Sequence, residues 1–161
     1  MLPYLLILVA FAADRLTKWW ATNYLADTSP VHVHDYLTLY PTYNRGIAFG
    51  LMQGIGPIIG WLSIAVVIGL FIYMVRVPRS MWLLRIGLAL IIGGAMGNLI
   101  DRVTAGQVLD FIQTPIRPGI FNVADIMINT GVVLSLLGAF LQREHPQREQ
   151  EVLEVEEQPK V

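Results

Sequence analysis

The sequence predicts an all-α membrane protein of four transmembrane helices, with a small β element on one side of the membrane. Three observations support this fold class. Hydrophobic residues make up 55% of the 161 residues and charged residues 14%, against about 25% charged residues in soluble domains. Four apolar runs approach the roughly 20 residues that a helix needs to cross a bilayer. Between the first two runs, apolar and polar residues alternate over a short segment.

The second, third and fourth apolar runs predict helices directly. The second run contains no charged residue and is followed by Arg76. The third run reaches spanning length when it begins at Met81, and the fourth is interrupted only by Asp125 and Asn129. The predicted spans are residues 3–23, 55–75, 81–100 and 123–141.

The first run, residues 3–23, is interrupted by three charged residues. A cleaved signal peptide is the alternative, because residues 2–13 resemble its apolar region. However, no Lys or Arg precedes that region, and Trp19, Trp20 and Tyr24 form an aromatic group typical of a membrane interface. These features favour a retained first helix.

Arginine residues indicate which face of the membrane each loop occupies. Arg76, Arg79 and Arg85 lie within ten residues between the second and third spans, and cytoplasmic loops carry an excess of Lys and Arg. This loop is therefore expected in the cytoplasm, which places both termini there as well. Residues 24–54 and 101–121 are then expected on the outer face.

The first outer segment contains the predicted β element. Apolar and polar residues alternate over residues 31–34 and 36–40, between Pro30 and Pro41, a pattern typical of short strands. The second outer segment, residues 101–121, is expected to be a loop.

The end of the chain differs in composition from the rest. All six Glu lie in residues 142–161, which carry a net charge of −3, whereas residues 1–141 carry a net charge of +2. We expect a transmembrane domain over residues 1–141, followed by an acidic, disordered cytoplasmic tail over residues 142–161.

Three aspartates and three asparagines are expected at the outer membrane interface. An ionisable residue within a span costs at least about 2.5 kcal/mol on insertion scales, so each requires a partner or a task. The six residues are Asp101, Asp110, Asp125, Asn44, Asn98 and Asn122. They predict a polar layer on one side of an otherwise apolar bundle.

Two aspartates have basic residues close by in the sequence. Asp14 has Lys18 four residues later on the same helical face, which predicts an ion pair. Asp101 is followed by Arg102, which pairs with it if the third helix ends there. We interpret both aspartates first as structural.

Asp110 and Asp125 have no basic residue within four positions, and they predict proton exchange. Two carboxyl groups in a poorly solvated site cannot both ionise easily, so one keeps a proton while the other acts as a base toward water. This is the chemistry of an aspartic protease, and it requires no metal or other cofactor. Two alternatives stay open: Asp125 with Asn122 also fits a helix capping box, and Asp110 also suits a turn.

Other patterns predict packing or carry less chemistry. The glycine-rich residues 93–97 predict close helix packing that brings Asn98 and Asp101 near other helices. His32 and His34 would lie on one side of a strand, but no carboxylate spacing completes a metal site. The chain has no cysteine and no basic stripe, so neither thiolate chemistry nor nucleic-acid binding is expected.

Five short segments resemble the motifs of the bacterial lipoprotein signal peptidases, the signal peptidase II family, in the same order along the chain. They are Asp14-Arg15-Leu16-Thr17-Lys18, Asn44-Arg45-Gly46-Ile47-Ala48-Phe49, the block from Gly93 to Arg102, Val108-Leu109-Asp110-Phe111 and Phe121-Asn122-Val123-Ala124-Asp125. The resemblance extends over the chain up to about residue 141.

This resemblance implies an intramembrane aspartic endopeptidase of the bacterial inner membrane, with a small β cradle, a flap and an active site at the periplasmic face. Its substrate would be a prolipoprotein that carries diacylglycerol on a cysteine, cut just before that cysteine. Membrane lipid and the inhibitor globomycin are the other implied partners. Asp110 and Asp125 correspond to the catalytic pair, and the residues implied to bind substrate or support the site are Asp14, Lys18, Asn44, Gly46, Asn98, Asp101, Arg102 and Asn122.

A small proton or solute conductor is the alternative function, because acids inside membrane spans often mark ion pathways. A conductor predicts ionisable residues through the full depth of the membrane, but the second span has none and the others concentrate theirs toward one face. A scaffold without catalysis is a further alternative. Neither explains the five motifs.

Overall fold

The computed structural model describes residues 1–25, 30–46 and 56–141. Residues 26–29 and 47–55 and the predicted tail, residues 142–161, lie outside the described residues, and the expected flap stays a prediction. The described elements, in chain order, are α1 (Leu2–Tyr24), β1 (Val31–His34), β2 (Leu37–Asn44), α2 (Gly56–Arg76), α3 (Trp82–Ala105), β3 (Val108–Thr114), β4 (Arg117–Phe121) and α4 (Val123–Leu141).

The four helices coincide with the four predicted spans, with one difference of consequence. The observed α4 has the predicted limits, and α1 and α2 deviate by one residue at each end. The helix α3 continues beyond Asp101 to Ala105, where Gly106 adopts a left-handed conformation with φ of 68° and donates its N–H to Arg102 O at 3.1 Å. Asp101 therefore lies within the helix, and the expectation that the helix ends there is wrong.

Two of the helices, α3 and α4, are long and apolar enough to cross a membrane. The side chains of α2 are described from residue 61 onward, and residues 61–76 form an apolar stretch shorter than a membrane span. Four spans and a cytoplasmic location for both termini stay predictions.

All four described strands form one antiparallel sheet in the order β1-β2-β3-β4. The two predicted strands are present and pair as a hairpin, but β2 continues through Pro41 to Asn44, so Pro41 does not end it. The pairing of β2 with β3 shifts between Leu39 and Thr42, and such an irregularity accommodates a proline, which has no N–H to donate.

The strands β3 and β4 correct the prediction that residues 101–121 form a loop. Four consecutive residues of β3, from Val108 to Phe111, are buried. A strand that is buried on both faces lacks the alternation that predicts strands. The sheet is therefore larger than expected, and its third strand carries Asp110.

The helix α3 lies at the centre of the bundle and packs against each of the other three helices. The glycine-rich segment permits this, as predicted. A Cβ added at Gly93 would lie 2.6 Å from the Cβ of Ala10 in α1, and one added at Gly94 would lie 2.7 Å from the carbonyl oxygen of Ala124 in α4. Close backbone contact at these glycines brings the polar residues of α1, α3 and α4 together.

We predict that Gly93→Ala destabilises the bundle. The added methyl group would overlap Ala10, so α1 and α3 would have to separate, and overpacking of this kind costs about 1–3 kcal/mol. Thermal unfolding of the purified protein in detergent measures the effect. Gly69→Ala is the matched control, because a Cβ at Gly69 has nothing within 4 Å. Equal melting temperatures for the two variants would contradict the packing.

Candidate active site

Part of the predicted polar layer lines a cavity of about 230 Å³ between α2, α3, the start of α4 and the sheet. Both Asp110 and Asp125 line it. Three of the predicted supporting residues, Asn44, Asn98 and Arg102, line it as well.

Asn122 connects the two aspartates. Its side-chain amide donates from Nδ2 to Oδ1 of Asp110 at 2.6 Å, and its main-chain N–H donates to Oδ2 of Asp125 at 3.2 Å. The Oδ1 atom of Asn122 in turn accepts the main-chain N–H of Asp125 at 3.1 Å. These reciprocal bonds form a capping box at the start of α4, so the capping alternative for Asp125 is confirmed. Capping leaves the side chain of Asp125 on the cavity wall.

Asp110 is the more buried of the two aspartates, with 4% of its surface exposed. Asn44 occupies a diagonal position on the neighbouring strand and donates from Nδ2 to Oδ2 of Asp110 at 3.2 Å. The main-chain N–H of Gly46 donates to Oδ1 of Asn44 at 2.9 Å and so orients the amide. The alternative that Asp110 lies in a turn is wrong, because it lies within β3.

The pKa of Asp110 is raised from its ordinary value to about 6, chiefly by burial and also by the negative charge of Asp125. Hydrogen bonds from Asn44 and Asn122 oppose this rise because they stabilise the ionised form. Asp110 therefore holds a proton at pH values where an ordinary aspartate has lost it.

Asp125 is held by a second amide, that of Asn98. The Nδ2 atom of Asn98 donates to Oδ1 of Asp125 at 3.1 Å, and Oδ1 of Asn98 accepts from Nζ of Lys18 at 2.8 Å. An ammonium group can only donate, so Lys18 requires the oxygen of Asn98 to face it. The nitrogen of Asn98 must then face Asp125. Lys18 thereby orients the side-chain amide of Asn98, which donates a hydrogen bond to Asp125.

A buried ion cluster supports the cavity from the side of α1. Lys18 is 2% exposed and lies 2.9 Å from Asp14, which confirms the predicted pair, and 2.7 Å from Asp101. Arg15 also pairs with Asp101. Asp14 accepts the main-chain N–H of Ala124 at 3.1 Å, so a side chain of α1 binds the first turn of α4.

The expected pairing of Asp101 with Arg102 is wrong. Adjacent residues of a continuous helix point about 100° apart, so Asp101 faces α1 while Arg102 lines the cavity. There the positive charge of Arg102 interacts with the negative charges of Asp125 and Asp110 and, as the smallest of the three contributions, with that of Asp101. Arg102 therefore lines the same cavity as Asp110 and Asp125.

A sequence model of the family described as signal peptidase (SPase) II matches residues 6–141. The chain belongs to the signal peptidase II family. Its relatives include lipoprotein signal peptidases of Anoxybacillus flavithermus, which is 38% identical over 142 residues (85% of this chain and 84% of the relative), and of Acinetobacter baumannii, which is 37% identical over 153 residues (88% and 85%).

Two solved structures described as bacterial membrane enzymes have the same fold as this member of the signal peptidase II family. The first has a TM-score of 0.77 and 28% sequence identity and covers 87% of each chain. The second has a TM-score of 0.74 and 27% identity and covers 85% of this chain and 91% of that one.

Sequence reasoning missed Arg117, which also lines the cavity of this family member. Its guanidinium lies 4.5 Å from the centre of the Phe121 ring, a cation–π contact. Arg117 lies in β4, a strand that the sequence pattern did not predict, and it belongs to none of the five motifs. The sequence feature that could have indicated Arg117 is its position four residues before the Phe121-Asn122 motif.

The residues considered for a metal site lie in the first hairpin. Nδ1 of His32 is 3.0 Å from the Thr38 hydroxyl, and His34 stacks on Tyr36. Within the described ranges, no group of three or more His, Asp or Glu side chains is arranged to hold a metal ion.

We predict that Asp14→Asn destabilises the protein. The substitution leaves the buried Lys18 with Asp101 as its remaining anionic partner among the described residues. The expected loss is therefore smaller than the about 3–5 kcal/mol that a fully uncompensated buried charge costs. Thermal unfolding in detergent measures the loss. Asp35→Asn, in the exposed turn of the first hairpin, is the matched control. If the Asp14 variant unfolds at the same temperature as the Asp35 variant, the ion cluster does not support the fold.

Proposed function

We propose that the chain is an aspartic endopeptidase that removes the signal peptide from diacylglyceryl-modified prolipoproteins, cutting before the lipidated cysteine. Membership of the signal peptidase II family supports peptidase activity, and the curated relatives are named lipoprotein signal peptidases. The observation that carries the aspartic mechanism is the hydrogen bonding of one residue, Asn122, to both Asp110 and Asp125.

In the proposed mechanism, the two carboxyl groups share one proton at rest, and Asp110 carries it. Burial raises the pKa of Asp110 to about 6, and the charge of Asp125 acts in the same direction. Asp125 is assigned the role of the general base. Amide groups bind both carboxyl groups and orient them, and an amide brings no positive charge of its own.

Catalysis would proceed through a water molecule held between the two carboxyl groups. Asp125 takes a proton from this water while the oxygen of the water attacks the carbonyl carbon of the scissile peptide bond. Asp110 donates its proton to the carbonyl oxygen. When the tetrahedral intermediate collapses, the C–N bond breaks and the proton on Asp125 passes to the departing amine. Asp110 recovers its proton from the hydroxyl group, so neither a metal nor an acyl-enzyme is required.

Arg102 is proposed to bind the peptide backbone of the substrate. Its Nε atom is buried and has no hydrogen-bond partner within the described residues. An unused buried donor beside both carboxyl groups suits a carbonyl oxygen of the substrate. Asn98 and Asn44 line the same cavity, and they would limit where the peptide can lie.

The proposed location is the bacterial inner membrane, with four spans, both termini in the cytoplasm and the site at the periplasmic face. Two apolar helices of spanning length support a membrane location. Trp19 and Tyr24 are 62% exposed near the end of α1, as expected for interfacial aromatic residues. The acyl chains of the substrate would remain in the bilayer while its signal helix lies among the spans. A globomycin-type inhibitor would occupy the same cavity.

The alternative of a proton or solute conductor has less support. The buried aspartates are hydrogen bonded or paired at one level of the bundle, where α1, α3, α4 and β3 meet. A conducting path requires exchangeable groups at successive depths. Membership of a peptidase family also favours hydrolysis over conduction.

We predict that Asp110→Asn and Asp125→Asn each abolish cleavage while leaving membrane insertion intact. An amide cannot act as the general acid or base, but it has nearly the same shape as the carboxyl group it replaces. The assay uses purified variants and a diacylglyceryl-modified prolipoprotein, with release of the signal peptide as the readout.

Asp35→Asn is the control for loss of an acid outside the cavity, and it should cleave at the wild-type rate. Turnover near the wild-type rate in either Asp110→Asn or Asp125→Asn would remove that residue from the mechanism. Matching circular dichroism spectra would establish that a loss of cleavage is not a loss of fold.

A further inference from the structure

A second cavity lies at the end of the bundle opposite the candidate active site. It is a cleft of about 370 Å³ between the start of α1 and the start of α3. The residues that line it are Met1, Leu2, Pro3, Arg79, Trp82, Arg85 and Ile86. None of them belongs to the five sequence motifs or to the proposed mechanism.

The polar part of this cleft is cationic. Arg79 is exposed, and Arg85 is half-buried with Nη1 donating to the carbonyl oxygen of Val77 at 2.9 Å. This bond anchors the guanidinium of Arg85 to the end of α2, so that part of the cleft is preorganised. Among the residues that the structure describes, no acidic side chain lines the cleft. Two neighbouring guanidinium groups favour an anion with several oxygen atoms, such as a phosphate.

The rest of the cleft is apolar and continuous with the outer surface of the helices. Leu2 is 55% exposed at the cleft, and Leu5 and Leu8 extend the exposed apolar surface along α1. Trp82, beside the two arginines, is 58% exposed, and tryptophan side chains favour the level of the lipid headgroups. A ligand of this cleft therefore has a phosphate next to hydrocarbon, which is the chemistry of a phospholipid.

From these features we propose that the cleft binds the headgroup phosphate of an anionic phospholipid, with an acyl chain against the exposed apolar face of α1. The site rests on the proposed membrane orientation, in which this end of the bundle faces the cytoplasm. Basic pockets between helices on that side of a membrane suit anionic headgroups. The continuous apolar surface favours a lipid over an acidic peptide segment, which would leave that surface uncovered.

The test measures lipid retention by native mass spectrometry of the full-length protein in detergent, with phosphatidylglycerol or phosphatidylcholine added. We expect phosphatidylglycerol to be retained preferentially. Arg79→Ala should weaken its retention about fivefold, the effect of losing one basic residue near an anionic headgroup. Arg85→Lys keeps the charge but not the planar guanidinium, so it should weaken retention less than Arg85→Gln.

Arg76→Ala is the matched control, because Arg76 ends α2 at the same end of the bundle but does not line the cleft. The proposal predicts unchanged retention in this variant. Equal weakening by Arg76→Ala and Arg79→Ala would overturn it in favour of a diffuse surface charge. Equal retention of the two lipids, or complete displacement of phosphatidylglycerol by millimolar inorganic phosphate, would also overturn it.

Two further measurements separate this proposal from the proposed function. Asp110→Asn should retain phosphatidylglycerol like the wild-type protein, because the two cavities lie at opposite ends of the bundle. Arg79→Ala should cleave prolipoprotein in detergent at the wild-type rate. Loss of lipid selectivity in Asp110→Asn would overturn the assignment of a separate site, whereas loss of cleavage in that variant alone bears only on the peptidase mechanism.

Discussion

The hydrogen bonds of Asn122 determine where the two carboxyl groups of the site lie. Its side chain binds Asp110 on β3, and its main chain binds Asp125 in the first turn of α4. Because Asn122 stands between the end of β4 and the start of α4, it joins the sheet to the bundle at Asp110 and Asp125. Asn122 itself is fully buried. Its polar atoms therefore require these partners, since an unsatisfied buried amide is destabilising.

The polar layer contains two groups of charges with different electrostatics. Around Lys18, opposite charges lie within ion-pair distance and stabilise each other, as in the contacts with Asp14 and Asp101. Around Asp110 and Asp125, two carboxyl groups accept hydrogen bonds from amides, and Arg102 lines the same cavity. The first group is suited to stability and the second to proton exchange. Asn98 connects them, because it accepts from Lys18 and donates to Asp125.

Local sequence patterns predicted the helices, the ion pair of Lys18 with Asp14 and the capping bonds at the start of α4. The limits of α4 follow from its apolar run, and the bonds between Asn122 and Asp125 follow from their spacing. The burial of β3 on both faces removed the alternation that would have predicted it. The partners of Asp101 lie about 85 residues away in α1, and local spacing carries no signal for such contacts. The motif resemblance supplied the site residues for which local patterns gave no role.

The protonation state of Asp110 decides whether the two carboxyl groups share one proton. Infrared spectroscopy of the purified protein detects the C=O stretch of a protonated carboxyl group, and subtraction of the spectrum of Asp110→Asn isolates the band of Asp110. As the pH is raised, this band is expected to disappear with a midpoint near pH 6, the pKa to which burial raises Asp110. If the band has already disappeared when the pH is raised to about 4.5, as for an ordinary aspartate, the two carboxyl groups do not share a proton.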